Sequence, residues 1–463
     1  MNDKKKNKYI ITNKVFYKEA LAIVLPVLLQ SIINQGVNMM DTIMLGRLGE
    51  VAISASSLAN QFYNIYVFLC MGLSAAGLVL TSQYWGAGDK KTVERVFDLL
   101  IQIIFIASLL FAAASYFIPR QIMRLFTPDE DVIREGARYL RITAWVYLPH
   151  GLSLAITNIM RSVGNARIGL YVSIASFLVN LGCNYIFIFG KLGLPPMGVA
   201  GAALGTLAAR LVELITCALF VLKFDHTLEY RPTHLLQPPK KTIFAEFIRL
   251  GLPAIISDTM LSISNGMISV ILGHMGRIYV SAYSIVSVVD RLCTIASQGV
   301  GSAAGIMVGQ SVGAGNYEDA KKRGYTFLLM TSIVGLIGSV IVLFVGDWSI
   351  SLYDISEDAV SVTKLMMLAS ALVLPFQNIQ STLGKGVLRG GGDTRFLMIA
   401  DVLFQWLASI PLGYLVGLVL HASAFWVLIA IRIDLVIKSI WFTYRLTTDK
   451  WIHPVRKQEP VSE

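Results

Sequence analysis

The sequence predicts an all-α integral membrane protein whose twelve transmembrane helices form two pseudo-symmetric six-helix lobes. Three observations support this prediction. Of the 463 residues, 55% are hydrophobic and only 15% are charged. Apolar runs of about 20 residues, the length that crosses a bilayer, recur along the whole chain. The second half also repeats motifs of the first. This composition excludes a disordered or fibrous soluble protein.

Twelve apolar segments are long enough to span a membrane. They occupy residues 15–44, 51–84, 93–118, 137–160, 168–190, 197–222, 243–272, 279–312, 325–346, 362–388, 396–420 and 422–444. A polar, proline-containing stretch separates the sixth segment from the seventh and has the composition of a linker. We therefore predict an N-terminal lobe at 1–222, a cytoplasmic linker at 223–242, and a C-terminal lobe at 243–463 that ends in a short cytoplasmic tail.

Basic residues indicate the orientation. Lysine and arginine concentrate in the segments that twelve spans place on the same side as the N-terminus, and such an excess marks the cytoplasmic face. Both termini are expected in the cytoplasm, and the chain in the plasma or inner membrane. The net charge of +10 then reflects topology, and no nucleic-acid partner is expected. The first span follows a Lys-rich start without a cleavage site, so we expect it to be retained.

An internal duplication relates the two halves. Placing Leu25-Pro26 on Leu252-Pro253 aligns further pairs without a gap, namely Asn38 with Asn265, Leu45-Gly46 with Leu272-Gly273, Gln83 with Gln310, and Gly86 with Gly313. Each half begins and ends on the inside, so the lobes are parallel repeats. Two like-oriented repeats suit a transporter that works by alternating access, although duplication alone shows only a pseudo-symmetric fold.

The first span carries a polar stripe. Gln30, Asn34, Asn38 and Asp41 recur at steps of four, four and three, which places them on one helix face. A carboxylate inside a membrane span costs about 2.5–3.5 kcal/mol on insertion scales, so this face is expected to meet protein or water. Hydrogen bonds between helices would explain the side-chain amides of Gln30, Asn34 and Asn38 equally well. For Asp41 we favour exchange of its charge for a proton.

Two prolines, Pro26 and Pro253, interrupt the first span of each half and are expected to bend or break their helices. A bend whose geometry depends on the charge of Asp41 is one interpretation of Pro26, and a static kink is the other.

Several ionisable residues also fall inside apolar spans of the second half. Asp290 with Arg291, and Arg432 with Asp434 and Lys438, are expected to form buried structural pairs. Asp258 and Asp401 have no partner nearby in the sequence, which makes them candidates for holding a cationic substrate. The four cysteines lie singly in apolar segments, and neither metal-ligand spacing nor a phosphate-binding loop occurs. No metal or other cofactor is expected.

The ordered motifs of the whole chain resemble the multidrug and toxic compound extrusion (MATE) family. These motifs are Pro26 with Asp-Thr-Ile-Met-Leu-Gly at 41–46, paired Gln-x-x-Gly-Ala-Gly at 83–88 and 310–315, Arg-Ser-Val-Gly-Asn-Ala-Arg at 161–167, Arg-Gly-Gly-Gly-Asp-Thr-Arg at 389–395, Asn-x-x-x-Asn-Tyr-Ile-Phe-Ile-Phe-Gly at 180–190, and Gly-Val-Ala-Gly-Ala-Ala at 198–203. Any one of them is a weak signal, whereas the ordered and repeated set is specific.

The resemblance implies a secondary active antiporter that exports organic cations or drugs in exchange for inward H+ or Na+, with an outward-facing cleft between the lobes. It carries ion coupling to Asp41, Asn180, Asn184 and Thr206. Pro26 is the candidate helix switch on the ground of its own chemistry. Family members often have a carboxylate where this chain has Asn184, so the chain departs from a proton-sharing acid pair. In sodium-linked relatives an acid in the seventh helix and another in the tenth belong to the ion site. Asp258 approximates the first, whereas the tenth span offers only Gln377 and Asn378.

The remaining expectations concern ligands and alternatives. Candidate substrate-binding residues are Gln30, Asn34, Asn38, Asp258, Asn265 and Asp401. The expected partners are a small cationic substrate and the lipid bilayer, and the chain is expected to function as a monomer. The alternative function is a flippase for a lipid-linked or anionic precursor, which would need a cationic cavity, and Arg210, Arg291 and Arg432 leave that open. The sequence contains no Ser-His or paired-acid constellation that would indicate an enzyme.

Overall fold

The computed structural model describes residues 9–46, 50–191, 193–231, 235, 237–351, 353 and 355–455, without the side chains at 38, 42, 43, 45, 46, 50, 52 and 53. This part of the chain is helical and contains no strand. Its helices are α1 (Lys14–Gly46), α2 (Glu50–Gly86), α3 (Lys90–Phe117), α4 (Pro119–Arg124), α5 (Glu130–Thr143), α6 (Tyr147–Ser162), α7 (Arg167–Phe189), α8 (Gly198–Leu219), α9 (Lys241–Met275), α10 (Arg277–Gly313), α11 (Tyr317–Ser351), α12 (Glu357–Ser381), α13 (Thr394–Phe404), α14 (Ile410–Tyr414), α15 (Ala424–Ile431) and α16 (Ile433–Thr447).

The predicted all-α membrane fold is confirmed. Among the described residues, ten helices are long and apolar enough to cross a bilayer. The fourth and twelfth predicted spans are present but interrupted. A 3₁₀ turn at Ala144–Val146 separates α5 from α6, and α15 meets α16 at Arg432, whose backbone (φ −120, ψ 10) leaves the helical region. Two interrupted spans and ten continuous ones make twelve.

The chain supplies recognisable helix ends. Asp89 caps α3 by accepting a hydrogen bond from the Thr92 amide, and Asp129 accepts from two amides at the start of α5. Gly190 ends α7 in the left-handed conformation (φ 67), which glycine adopts without a Cβ clash. These caps satisfy backbone groups that the first and last helical turns leave unpaired.

Four segments adopt the π-helical geometry, at Phe220–Phe224, Thr382–Leu388, Gln405–Ser409 and Leu415–Val419. The last two lie within the eleventh predicted span, which is therefore an irregular helix. Such bulges frequently accompany functional sites in helices.

Residue packing divides the chain into two compact units. Unit 1 contains residues 1–28, 82–88 and 252–463, and unit 2 contains 29–81 and 89–251. Helix α1 passes from one unit to the other two residues after Pro26, and α9 does so one residue before Pro253. Both helices run unbroken through their prolines. The predicted lobe boundaries, which follow the duplication, therefore stay a prediction.

Unit 1 is built around α10, α11 and α12, which pack closely on one another. The start of α1 belongs to this unit, since Phe16 contacts Phe327 with ring centroids 5.4 Å apart. Here the repeated Gln-x-x-Gly motifs meet. A Cβ on Gly86 would lie 2.0 Å from the Gln310 carbonyl oxygen, and one on Gly313 would lie 1.8 Å from the Gln83 carbonyl oxygen. The duplicated glycines thus permit a reciprocal backbone crossing.

Unit 2 is built around α7 and α8, with α3, α5 and α6 packed beside them. Its apolar core includes Ala55, Ile133, Leu140 and Ala203. The start of α9 belongs to this unit, since a Cβ on Gly251 would lie 3.1 Å from that of Ala76. Unit 2 contains all four residues that were singled out for ion coupling, Asp41, Asn180, Asn184 and Thr206.

Candidate functional site

The polar stripe of α1 is only partly engaged with protein. Gln30 accepts a hydrogen bond of 2.9 Å from the Arg161 guanidinium. Asn34 is exposed and Asp41 is half-buried. The side chain of Asn38 lies outside the described residues. The stripe is thus anchored at its first and last members, while Asn34 between them is open to its surroundings.

Asn184 links α7 to Asp41. Its amide nitrogen donates to the Asp41 carboxylate at 2.6 Å and to the Asn180 side-chain oxygen at 3.2 Å. Asn180 and Asn184 are both buried, and they lie one turn apart on α7, so they present one face. The structure therefore brings together three of the four residues that the family resemblance proposed.

Small residues on α8 make this arrangement possible. A Cβ on Gly205 would lie 2.0 Å from the Asn184 Oδ1 atom, and a Cβ on Gly201 would lie 2.6 Å from the Phe187 carbonyl carbon. Because these two positions lack side chains, α8 approaches α7 closely, as small residues do in membrane helix pairs. Gly205 thus fixes where the Asn184 amide sits.

Thr206 follows Gly205 but makes no described hydrogen bond with Asp41. Its hydroxyl donates to the Ala202 carbonyl of its own helix at 3.0 Å, a common way for threonine to be satisfied inside a helix. The structure therefore does not join Thr206 to the hydrogen bonds between Asp41, Asn184 and Asn180.

A second polar layer of unit 2 was missed by the sequence analysis. Arg210 pairs with Glu213 at 2.7 Å and attracts the Asp41 carboxylate electrostatically. Tyr63 and the His150 Nδ1 atom are hydrogen-bonded at 2.5 Å, with their rings stacked at a centroid distance of 5.6 Å. The i,i+3 spacing of Arg210 and Glu213 is the one signal that could have revealed part of this layer.

The oxygen atoms near Asp41 offer a limited set of cation ligands. The Asn184 Oδ1 atom is buried without a hydrogen-bond partner, while its amide nitrogen lies against both the Asp41 and Asn180 oxygens. Within the described residues, no cluster of three His, Cys, Asp or Glu residues is arranged to hold a metal ion.

The candidate residues of unit 1 have different environments. Asn265 is exposed. Asp258 lies 3.9 Å from an Arg389 nitrogen and 4.0 Å from the Lys385 ammonium. Asp401 accepts from Lys438 at 3.2 Å and from Ser257 at 2.6 Å. Asp401 therefore already contacts a lysine.

The predicted pairing of Asp290 with Arg291 does not occur. Asp290 accepts from Arg432 at 2.5 Å and from Ser370, and Arg291 is exposed. Neighbouring residues of a helix point in different directions and do not face each other. The expected proximity of Lys438 and Asp434 is present at 2.8 Å.

A protein-family model described as MatE matches residues 26–186 and again 253–415. The chain belongs to the MatE family. The two matches begin at Pro26 and Pro253, the residues that the internal duplication aligns. This match confirms the resemblance inferred from the motifs and the repeat of one unit in each half. As a member of the MatE family, the chain is a multi-pass membrane protein of the transporter type.

Individual relatives are distant but extend over most of the chain. The probable multidrug resistance protein NorM of Agrobacterium fabrum is 25% identical, over 93% of this chain and 96% of the relative. The solved structure of the Vibrio cholerae MATE transporter VcmN in its bent form matches with a TM-score of 0.85 at 16% identity, over 95% of this chain and 97% of that one. A MOP superfamily transporter from Pyrococcus furiosus matches with a TM-score of 0.84 at 17% identity, over 93% and 96%. These likenesses establish the fold of the MatE chain.

Proposed function

We propose that this MatE protein is a secondary active efflux transporter that exports an organic cation in exchange for an inward-moving proton, with Asp41 as the proton-binding group. The observation that carries this proposal is the uncharged partner of Asp41. Asn184 holds the carboxylate through a neutral amide, whereas Asp290, Asp401, Asp434 and Glu213 all contact a lysine or an arginine.

A neutral partner leaves Asp41 able to change its charge. A carboxylate that is the sole partner of a buried cation is held ionised, because protonation would leave that cation unpaired. An amide can instead serve either protonation state, since it carries both a donor and an acceptor. Arg210 attracts Asp41 at longer range but is itself paired with Glu213. Asp41, Arg210 and Glu213 together carry one negative charge, which favours a cationic ligand.

We infer that protonation reverses the polarity of the Asn184 amide. A protonated Asp41 is a donor and needs an acceptor, and the Asn184 Oδ1 atom is buried with none of its bonding capacity used. Rotation of the amide would turn this oxygen toward Asp41. Asn180, 3.2 Å from the same amide, would rotate as well so that its own amide donates to Asn184. One proton would thereby rearrange contacts between α1 and α7.

Thr206 and Pro26 have supporting roles in this proposal. The Thr206 hydroxyl, which donates to its own helix, retains acceptor capacity on α8 next to Gly205. Pro26 lies where α1 changes unit, and a proline removes one backbone hydrogen bond and lowers the cost of bending there. The charge of Asp41 would then act on a helix that is already weakened near Pro26.

The polar face of α1 supports a place for the substrate. We assign Gln30, Asn34 and Asn38 to contacts with the substrate, with Asn265 as the equivalent position of the second repeat. Asp258 and Asp401 are poorer candidates than the sequence suggested, because cations already contact both carboxylates. The substrate class we propose is a small organic cation, held beside the net negative charge of Asp41, Arg210 and Glu213.

The energetics of a single exchange are modest. Moving one positive charge outward against about 100 mV costs about 2.3 kcal/mol, and one inward proton returns the same amount. Exchange of one monovalent cation for one proton is thus electrically silent. A tenfold pH difference then supplies about 1.4 kcal/mol toward substrate accumulation outside.

The flippase alternative is less well supported. It requires a cationic surface for an anionic headgroup, yet Arg210 is paired with Glu213 and Arg432 with Asp290. The distribution of basic residues supports cytoplasmic termini and a location in the cell membrane. We propose that the transporter works as a monomer, that it has no enzymatic activity, and that sodium coupling is the variant to be tested against the proton.

The test is transport of an ethidium-like cation into everted membrane vesicles, with the pH and sodium gradients imposed separately. The proposal predicts uptake when the vesicle interior is acidic, independent of sodium. Uptake that requires a sodium gradient at constant pH would assign the coupling to sodium. Absence of uptake under both gradients would refute the proposed export function.

A further inference from the structure

A second cluster of ionisable side chains is buried in unit 1, away from Asp41. Lys438 on α16 is only 1% exposed and contacts two carboxylates, Asp401 on α13 at 3.2 Å and Asp434 on α16 at 2.8 Å. Both carboxylates are buried as well. The cluster contains one positive and two negative groups, so it carries a net negative charge when all three are ionised.

Two serines complete the cluster. Ser257 on α9 donates to the second oxygen of Asp401 at 2.6 Å. Ser409, in the π-helical segment that follows α13, donates to the second oxygen of Asp434 at 2.7 Å, and its oxygen accepts from the Asp434 amide at 3.1 Å. Each of the four carboxylate oxygens therefore has one donor.

The composition of the cluster points to a proton as its ligand. A net charge buried in a membrane protein is costly, and one additional proton would remove it. The new O–H bond on a carboxyl group needs an acceptor, and a serine hydroxyl provides one by rotating from donor to acceptor. Neither heavy atoms nor helices need to move for this change.

Other cations fit poorly. A sodium ion at the two carboxylates would lie next to the Lys438 ammonium, whose positive charge repels it in a low-dielectric interior. An organic cation has no access, because Asp401, Asp434 and Lys438 are all buried. A proton alone combines the required charge with a size that the packed site accepts.

The surrounding carboxylates have cations of their own. On the neighbouring helices and loops, carboxylates are matched with cations in the sets Asp258 with Lys385 and Arg389, Asp290 with Arg432 (which also lies over the Tyr283 ring), Asp393 with Arg445 and His453, Asp319 with Arg323, and Asp449 with Lys321. Among the described contacts Lys438 is thus the cation that Asp401 and Asp434 share, whereas Asp258 lies near two cations.

The position of the cluster connects it with helix irregularities. Asp434 lies two residues after the interruption of the twelfth span at Arg432, and Ser409 lies in a π-helical segment of the eleventh. Interrupted helices in transporters commonly mark ion sites. A change in charge at this point would act on backbone that is already irregular.

We propose that Asp401, Asp434 and Lys438 form a second proton-binding site, so that each cycle exchanges two protons for one monovalent cation. This inference rests on the proposed function for its role in transport, but proton binding itself can be measured without transport. The stoichiometry makes transport electrogenic, because one net positive charge moves inward per cycle.

The binding test is infrared difference spectroscopy of the purified protein between acid and alkaline pH, with Asp41→Asn as background so that Asp41 does not contribute. We expect a carboxylic-acid carbonyl band that disappears in Asp41→Asn/Asp434→Asn or in Asp41→Asn/Asp401→Asn. The matched control is Asp41→Asn/Asp393→Asn, which removes another buried, ion-paired carboxylate and should keep the band.

If the double variants fold poorly, Ser409→Ala in the Asp41→Asn background keeps every charge of the cluster and should shift the band. No carboxylic-acid band in Asp41→Asn, or a band unaffected by all the cluster variants, would overturn the proposal.

The transport test uses proteoliposomes in which a pH difference and a membrane potential are imposed separately. In the wild type, ethidium accumulation should rise about a hundredfold per tenfold proton gradient and should respond to potential alone. In Asp434→Asn the rise should fall to about tenfold and the response to potential should vanish. Wild-type transport that follows pH but ignores potential would refute the second site while leaving the proposed function intact. Wild-type transport that ignores pH would instead refute the proposed function.

Discussion

The Asn184 amide donates to the Asp41 carboxylate at 2.6 Å, and the same nitrogen lies 3.2 Å from the Asn180 side-chain oxygen. Two helices that are distant in sequence are therefore joined through a neutral group at the one ionisable residue of the α1 stripe. The proposed coupling depends on this contact, because the amide can follow either protonation state of the acid.

Replacing Asn184 with leucine removes the donor to Asp41. A hydrogen bond to a charged group contributes about 1.5–3 kcal/mol, so we expect proton-driven substrate uptake to fall about ten- to a hundredfold. The measurement is initial-rate uptake in everted vesicles. Asn158→Leu is the matched control, since the Asn158 amide donates only to the Leu154 carbonyl of its own helix. Equal losses in the two variants would contradict a specific role for Asn184.

Adding a methyl group at Gly205 should displace the Asn184 side chain, because the new Cβ would lie 2.0 Å from Oδ1. We expect Gly205→Ala to lower thermal stability in detergent, by about 1–3 kcal/mol as for other overpacked sites, and to reduce proton coupling. Gly182→Ala on α7 meets no atom within 4 Å and serves as the control. A Gly205→Ala protein as stable and active as Gly182→Ala would disprove the close packing described above.

The reciprocal crossing in unit 1 should be intolerant of side chains at both repeated glycines. In Gly86→Ala and Gly313→Ala the new Cβ would approach backbone carbonyl oxygens to 2.0 and 1.8 Å, and backbone cannot yield as a flexible side chain can. Each variant should lose stability by at least about 1–3 kcal/mol. Thermal unfolding followed by tryptophan fluorescence measures this loss. Gly266→Ala, which has open space around its Cβ, should unfold like the wild type.

Lys438 should be far more important for stability than an exposed lysine. Lys438→Met leaves Asp401 and Asp434 buried without their cation, and breaking a buried pair in this way costs about 3–5 kcal/mol. Lys364 pairs with Asp347 at 3.0 Å but is 55% exposed, so Lys364→Met should change stability by less than about 1 kcal/mol. The comparison uses thermal unfolding of detergent-solubilised protein. Similar unfolding temperatures for the two variants would argue against a buried triad.

The membrane fold was accessible from the sequence because its signals are local. Span length, the polar stripe of α1 and the repeated Leu-Pro and Gln-x-x-Gly motifs each depend on residues close together in the chain. The interruption before α6 had a local signal too. Pro149 lacks the amide that would bond to the Trp145 carbonyl, and the 3₁₀ turn forms at that point.

Partners between distant helices were less accessible. The spacing of residues identified the face that contains Asp41, but it did not identify Asn184 as the residue opposite, which came from the family resemblance. Arg432 was expected beside Asp434 and Lys438, yet the helix is interrupted at Arg432, and its guanidinium meets Asp290 of α10. Sequence proximity fails here because the backbone break separates Arg432 from the face of α16.

The most direct test of proton coupling through Asp41 measures substrate-linked proton movement in Asp41→Asn. Everted vesicles with an acidic interior are given ethidium, and proton release is followed with a pH-sensitive dye, after immunoblotting shows equal amounts of wild type and variant. We expect the wild type to release protons when substrate is added, and we expect Asp41→Asn to lose both the protons released from Asp41 and net export. Proton release and export at wild-type levels in Asp41→Asn would contradict the assignment of Asp41 as the coupling group.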